Sequence, residues 1–414
     1  MTAPVTEKKP VRESALKRWL LSLGPGIITA ALVFGPSKMT ITSKMGADYG
    51  YSLLWVVAVA IFFMVIFTGM GARIGAVNKG SLLSLIRQQW GSKVAIALGV
   101  GVFLVTTSFQ AGNSIGVGIA IAEGTGTSPV LWVVVFNLIG IGLLFFRSFY
   151  KMLEKLMIFL VAVMLFSFVT TLFMADPDTI RVAKGFVPAV PIGSAGLIIA
   201  FTASCFSIVG AFYQSYLVQE RAKLSKSTDK DGNTTGGSTT GILILGVMSA
   251  VVLICAASVL HPQGIKVDSA SQMAKALEPL FGSNASALFL AGLFGASFSS
   301  LVGNATVGGS LLGDALGYGS NLNSRQVKLF IALVMVAGAT IAILFGKLPL
   351  ELIVFAQSVT IFLVPFIGVA MYVIANKASV MGEHRNSLAT KIFGGVGLLL
   401  LIGLAVSNAI DMLK

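Results

Sequence analysis

The chain has 414 residues, of which 56% are hydrophobic and only 11% carry a charged side chain. Ordinary soluble domains carry about 25% charged residues, so this composition excludes a soluble globular protein and predicts a polytopic membrane protein. The net charge of +13 lies mostly between apolar runs, as the positive-inside rule describes, so we expect a lipid bilayer and no nucleic acid as partner. The two cysteines, Cys205 and Cys255, lie within apolar runs, which predicts small buried residues and no disulfide framework.

Apolar runs long enough to cross a bilayer follow one another along the chain. Each has about 20 residues and ends at polar, glycine or proline residues, which predicts an all-α fold with about eleven transmembrane helices. They fall near 25–46, 52–72, 94–122, 130–147, 154–174, 194–217, 240–260, 285–312, 327–345, 350–375 and 392–410.

The basic residues predict the orientation of these spans. If residues 1–23 form a cytoplasmic tail, most of the 29 lysines and arginines lie on the cytoplasmic side, which favours a multi-pass protein of the plasma or inner membrane. An odd number of spans then places the C-terminus outside.

The first predicted span breaks in its middle, at Gly35, Pro36, Ser37 and Lys38. Pro36 has no amide hydrogen and Gly35 disfavours helix, so we expect the hydrogen-bond ladder to open there. A lysine at mid-membrane depth costs about 2.5–3.5 kcal/mol, and open backbone survives there only when it is buried in protein or lines a cavity. Because many transporters build their substrate sites at unwound helices, this break is the first candidate for the functional centre.

The sixth predicted span carries a second candidate break around Ser204, Ser207 and Gly210, followed by Tyr213 and Gln214. Corresponding breaks in two halves of a chain favour an inverted repeat of five spans each, the LeuT-type arrangement, with one extra helix here. The predicted units are a first repeat at 24–175, a second repeat at 176–376, and a cytoplasmic loop with the last span at 377–414.

Motifs spread over most of the chain have the order and spacing of a known family. They are Gly24-Pro-Gly-Ile, the Gly35-Pro36 break, Gly46-Ala-Asp-Tyr-Gly-Tyr-Ser-Leu-Leu-Trp55, Arg73-Ile-Gly, Leu153-Glu-Lys-Leu, Ser215-Tyr-Leu-Val-Gln219-Glu-Arg221, Ser299-Ser300, and Gln357 with Pro365-Phe366. Together they resemble the Nramp metal-ion transporters. The resemblance implies a LeuT-type scaffold and the import of divalent metals such as manganese and iron, usually with protons.

The metal-binding residues that the resemblance implies are replaced in this chain. The family's Asp-Pro-Gly-Asn corresponds to Gly35-Pro36-Ser37-Lys38, and its Met-Pro-His-Asn corresponds to Ser207-Ile208-Val209-Gly210. Its acidic pair in the third span corresponds to Gln110 and Asn113, which share one helical face. Divalent cations usually need an anionic ligand, and we expect no Asp or Glu inside any span, so we predict no metal bound at the central site as in the family.

Lys38 leaves three interpretations open. It supplies a fixed positive charge to an anionic or carbonyl-bearing solute, it carries a proton during transport, or it is a structural lysine satisfied by backbone carbonyls. The substrate-binding candidates are Gly35, Pro36, Ser37, Lys38, Ser204, Ser207, Gly210, Tyr213 and Gln214. The candidates for coupling or for lining the cavity are Lys38, Gln110, Asn113 and Gln357.

The predicted function is secondary active transport, with proton-linked divalent metal transport as the role that the family resemblance implies. The first alternative is a transporter of a small organic anion or an amino-acid-like solute that uses Lys38. The second is a membrane sensor that transports nothing. No phosphate-binding loop, zinc motif or catalytic cluster is found in the spans, so we expect neither an enzyme nor a cofactor.

Overall fold

The computed structural model describes residues 24–146, 149–205, 208–224, 233–267, 283–345 and 350–412. The predicted tail at 1–23 lies outside the described residues. The helices are α1 (Gly24–Val33), α2 (Pro36–Tyr49), α3 (Leu54–Val77), α4 (Leu82–Trp90), α5 (Ser92–Thr125), α6 (Pro129–Leu143), α7 (Phe149–Ala175), α8 (Thr179–Lys184), α9 (Ala195–Cys205), α10 (Ile208–Leu224), α11 (Asn233–Val259), α12 (Ser283–Ala315), α13 (Arg325–Phe345), α14 (Leu350–Asn376), α15 (Ala378–Met381) and α16 (Leu388–Met412). Short 3₁₀ turns lie at Gly50–Leu53, His261–Gln263 and Gly382–His384.

The helices confirm the predicted all-α membrane fold. Helix is found at every predicted span, with the first and sixth each divided into two helices. By length and composition, eight stretches of the described residues are long and apolar enough to cross a membrane. The number is nine if Thr360–Asn376 of α14 and Ala378–His384, which meet at an angle of 70°, are counted as one span. The protein is therefore a multi-pass membrane protein.

The divided first span lies in the middle of the helix bundle. Helices α1 and α2 both pack against α11 and α12, and α1 also packs against α7 and α10. In the most apolar stretch of α12, 72% of the residues are buried inside the protein, whereas in α16 the figure is 28%. The small residues along α12 allow this close packing, and α16 lies at the edge where lipid would contact it.

Acidic side chains do occur within the described helices, so the expectation that the spans contain none was wrong. Asp314, in the last turn of α12, is 7% exposed, and its Oδ2 accepts a hydrogen bond of 2.7 Å from the Tyr216 hydroxyl. Glu154, near the start of α7, forms an ion pair of 3.4 Å with Arg221 of α10. Both carboxylates lie near helix ends, where hydrogen-bonding or charged partners are available. In the case of Asp314, α12 continues past the apolar run that was predicted as a span.

Candidate functional site

The break in the first span is confirmed. Helix α1 ends at Val33, α2 begins at Pro36, and Gly35 between them is extended, with φ −91° and ψ 178°. Pro36 takes the first helical position, where its missing amide hydrogen costs nothing. The first amide groups of α2 have no intrahelical acceptor, and they carry the positive end of the helix dipole to the break.

The divided sixth span lies beside this break. Helix α9 ends at Cys205 and α10 begins at Ile208, while Ser207 lies outside the described residues. The second half of each broken span packs against the first half of the other, α2 against α9 and α10 against α1. The four helix ends therefore surround one region near the middle of the bundle.

Lys38 is buried in this region with only 1% of its surface exposed. Its Nζ donates to Ser204 Oγ at 3.1 Å and to Cys205 Sγ at 2.6 Å, and lies 4.4 Å from the centre of the Phe201 ring. These three residues form the last turn of α9, where the helix dipole and the ring face both favour a cation. Among the described residues no Asp or Glu pairs with Lys38, and its hydrogen-bond partners there are a serine hydroxyl and a cysteine sulfur.

A cavity of about 50 Å³ adjoins Lys38. Its lining residues are Leu32, Val33, Gly35, Ser37, Lys38, Phe109, Asn113, Ser204, Ser300 and Asn304. The Ser37 side chain is 8% exposed, and no hydrogen-bond partner for its hydroxyl is found in the described part of the chain. The cavity thus presents an ammonium, hydroxyls and amides, and it has no carboxylate in its described lining.

The site candidates from the sequence divide into those that line the cavity and those that do not. Gly35, Ser37, Lys38, Asn113 and Ser204 line it. Pro36 begins α2 beside it, and its ring lies close to Gly116 of α5.

Among the remaining candidates, Gln110, Gly210, Tyr213 and Gln214 take part in helix packing. Gln110 Nε2 donates to the Leu301 carbonyl of α12 at 2.8 Å, and the Tyr213 ring stacks on Tyr216 at 5.7 Å. Gln214 hydrogen-bonds Thr29 of α1 and donates to Ser238 of α11 at 2.6 Å. Gly210 lies close to the Met64 methyl group, and the side chain of Gln357 lies outside the described residues.

Sequence reasoning did not select several residues that surround the ammonium and the cavity. Phe201, Cys205, Phe109 and Asn304 lie in apolar or mixed stretches and carry no motif. Cys205 was interpreted only as a small buried residue. A signal for Phe201 and Cys205 was available, because Cys205 is the last residue before the second break and Phe201 lies one helical turn earlier on the same face.

Gly35 is required by close packing, and its substitution gives a first prediction. A Cβ atom there would lie 2.8 Å from Ser300 Oγ and 3.2 Å from Asn113 Oδ1. Ser300 cannot turn away freely, because its hydroxyl donates to the Ala31 and Leu32 carbonyls at 3.2 Å. We expect Gly35→Ala to destabilise the protein by about 1–3 kcal/mol, the usual cost of overpacking. Thermal unfolding in detergent measures the effect.

The control for this prediction is Gly69→Ala in α3, where a Cβ atom would meet nothing within 4 Å. That substitution should be neutral or stabilising, because alanine is the better helix former. Equal loss of stability in both variants would contradict the steric account of Gly35.

The chain matches the model of one protein family over most of its length. A family model described as "natural resistance-associated macrophage protein-like" matches residues 26–411. The chain belongs to the Nramp family. The resemblance in the sequence motifs is thereby confirmed.

Individual Nramp proteins are similar to this chain over nearly its whole length. A divalent metal cation transporter MntH from Deinococcus radiodurans is 26% identical over 402 residues, covering 94% of this chain and 89% of the relative. The MntH of Granulibacter bethesdensis is 25% identical over 395 residues, covering 94% and 88%.

Solved structures share the fold. A manganese transporter from Eremococcus coleocola matches with a TM-score of 0.75 at 19% identity, covering 98% of this chain and 89% of the other. Mhp1, a transporter of the nucleobase-cation-symport-1 family, matches with a TM-score of 0.58 at 14% identity, covering 94% and 93%. The predicted LeuT-type fold is therefore confirmed for this Nramp chain.

Proposed function

We propose that this Nramp protein is a secondary transporter that moves a small anion past Lys38. The observation that carries the proposal is a buried lysine side chain, next to a cavity, that has no carboxylate among its described partners. Charges inside a membrane protein are costly unless they are compensated, and they commonly mark transport pathways. An anion in the cavity would supply the missing negative charge.

The cavity lining also supports an anion over a cation. Ser37 offers a hydroxyl donor, and the first amides of α2 offer backbone donors at the positive end of a helix. Two like unit charges 4 Å apart repel by about 4 kcal/mol at an effective dielectric constant of 20, and a divalent cation would feel about twice that from Lys38. A hard cation would need an anionic ligand to overcome this repulsion.

The size of the cavity supports a substrate of few atoms. A volume of about 50 Å³ holds a few waters. Pockets for drug-sized ligands have about 300–1,000 Å³. An anion of the size of a halide or formate therefore fits the described cavity better than an amino acid does.

The second candidate is proton-linked transport of a divalent metal, the activity named for the MntH relatives. Family membership favours it, and the oxygens of Ser37, Asn113 and Asn304 would be its neutral ligands. In both candidates we place the N-terminus in the cytoplasm and the C-terminus outside, because this puts most basic residues on the cytoplasmic side.

Uptake into vesicles tests the proposal. Purified protein in liposomes would be offered labelled chloride, formate, an amino acid and manganese, each with and without a proton gradient. We expect saturable uptake of a small anion and no uptake of manganese above empty liposomes. Saturable manganese uptake without anion uptake would overturn the proposal in favour of the metal candidate, and no uptake of any solute would favour the sensor.

A further inference from the structure

Lys38 and Cys205 form an unusual pair of reactive side chains. Lys38 Nζ lies 2.6 Å from Cys205 Sγ, and both residues are buried, with 1% and 0% of their surfaces exposed. They belong to different helices, Lys38 to the first turn of α2 and Cys205 to the last residue of α9. The pair thus joins the two broken spans.

The two atoms are in direct contact. At 2.6 Å, Lys38 Nζ and Cys205 Sγ are close enough for a single oxygen atom to be bonded to both.

We propose that Lys38 and Cys205 form a covalent Nζ–O–Sγ cross-link in the presence of dioxygen. The reaction takes the ammonium, the thiol and one O₂, and it gives the cross-link, one water and one proton. An N–O bond, an O–S bond and the two O–H bonds of water form, while two N–H bonds of the ammonium, the S–H bond and the O–O bond break and one proton is released. Nitrogen and sulfur each lose two electrons, and dioxygen accepts all four.

The surroundings of the pair favour this product over other cysteine oxidation products. Dioxygen is small and apolar, so it enters the lipid and passes between packed helices. Charged thiols and charged oxidants do not reach such a buried site. Both cysteines are free and buried, and Cys255 lies in a different helix, α11. The amine of Lys38 is the nucleophile already in contact with the sulfur.

The cross-link would change the candidate site in two ways. It converts the Lys38 ammonium into a weakly basic, uncharged nitrogen, and it ties α2 to α9. Two molecules of a small uncharged dithiol would reverse it by supplying four electrons and four protons, which returns the amine, the thiol and water. The site would therefore be closed under oxidising conditions, whichever solute it carries.

Mass spectrometry of the full-length protein tests the cross-link. The protein would be purified without oxygen, placed in lipid nanodiscs, and divided between anaerobic and oxygen-saturated buffer. We expect the oxygenated sample to gain the mass of one oxygen atom less two hydrogen atoms, and to lose this gain on treatment with dithiothreitol. Digestion should yield one peptide pair that joins Lys38 to Cys205.

Matched variants separate the cross-link from other oxidation. Cys205→Ser and Lys38→Met should each abolish the mass gain, while Cys255→Ser should keep it. No mass gain in the parent protein, a gain of whole oxygen atoms on Cys205 alone, or a loss of two hydrogens without oxygen would overturn the proposal. Even if a variant fails to fold, the presence or absence of the joined peptide in the parent protein shows whether the cross-link forms.

Discussion

Replacing Lys38 by methionine should strongly weaken anion binding and uptake and leave the protein folded. Methionine fills a similar space, and an apolar side chain is less costly at this depth than an ammonium. A hydrogen bond to a charged group contributes about 1.5–3 kcal/mol, so anion affinity should fall by about 10- to 150-fold. Lys38→Arg should also fail, because the planar guanidinium does not fit a site shaped for a compact ammonium and releases no proton. Vesicle uptake and thermal unfolding measure the two effects.

The control is Lys44→Met, a lysine of the same helix. Lys44 pairs with Asp48 at 3.3 Å, about one-fifth of each side chain is exposed, and neither residue lines the described cavity. Uptake should persist in this variant. If Lys38→Met carried solute at the parent rate with the same pH profile, Lys38 would be structural and the site assignment would be wrong.

A second large effect, tighter manganese binding, should follow when an acidic and an amide side chain are introduced at positions 35 and 38. Gly35→Asp with Lys38→Asn removes the repelling ammonium and adds an anionic ligand, which divalent cations usually need. Because a side chain at position 35 crowds Ser300, the variant also needs Ser300→Ala. We expect manganese affinity, measured by calorimetry, to rise at least tenfold over the parent protein, which corresponds to about 1.4 kcal/mol.

Lys38→Asn with Ser300→Ala, without the aspartate, is the matched control and should show a smaller gain. A parent protein that binds manganese at micromolar concentration, with no tighter binding in the triple variant, would contradict the account. It would mean that neutral oxygens and an ammonium hold the metal.

The helices and the first break were predictable because their causes are local. Apolar length predicts a span. At the first break, glycine and proline at positions 35 and 36 act within the turn they occupy, so α1 ends and α2 begins where the sequence indicates. Likewise, Thr40 and Thr42 bond the carbonyls of Pro36 and Lys38, as hydroxyls in membrane helices commonly do.

The partners of Lys38 could not be predicted, because they lie 166 and 167 positions away in the chain. Only the packing of α2 against the end of α9 brings Ser204 and Cys205 to the ammonium. The same limit applies to Gln110 and Asn113. They share a helical face and Asn113 Nδ2 donates to Gln110 Oε1 at 3.4 Å, yet Asn113 lines the cavity while Gln110 donates to the Leu301 carbonyl, 191 positions away in the chain.

Anomalous diffraction from crystals soaked in bromide or in manganese tests the central claim most directly, since it places the ion relative to Lys38. We predict a bromide peak in the cavity, within hydrogen-bonding distance of Lys38 Nζ or the Ser37 hydroxyl, and its loss in Lys38→Met crystals. A manganese peak in that cavity of the parent protein, with no bromide peak there, would contradict the account.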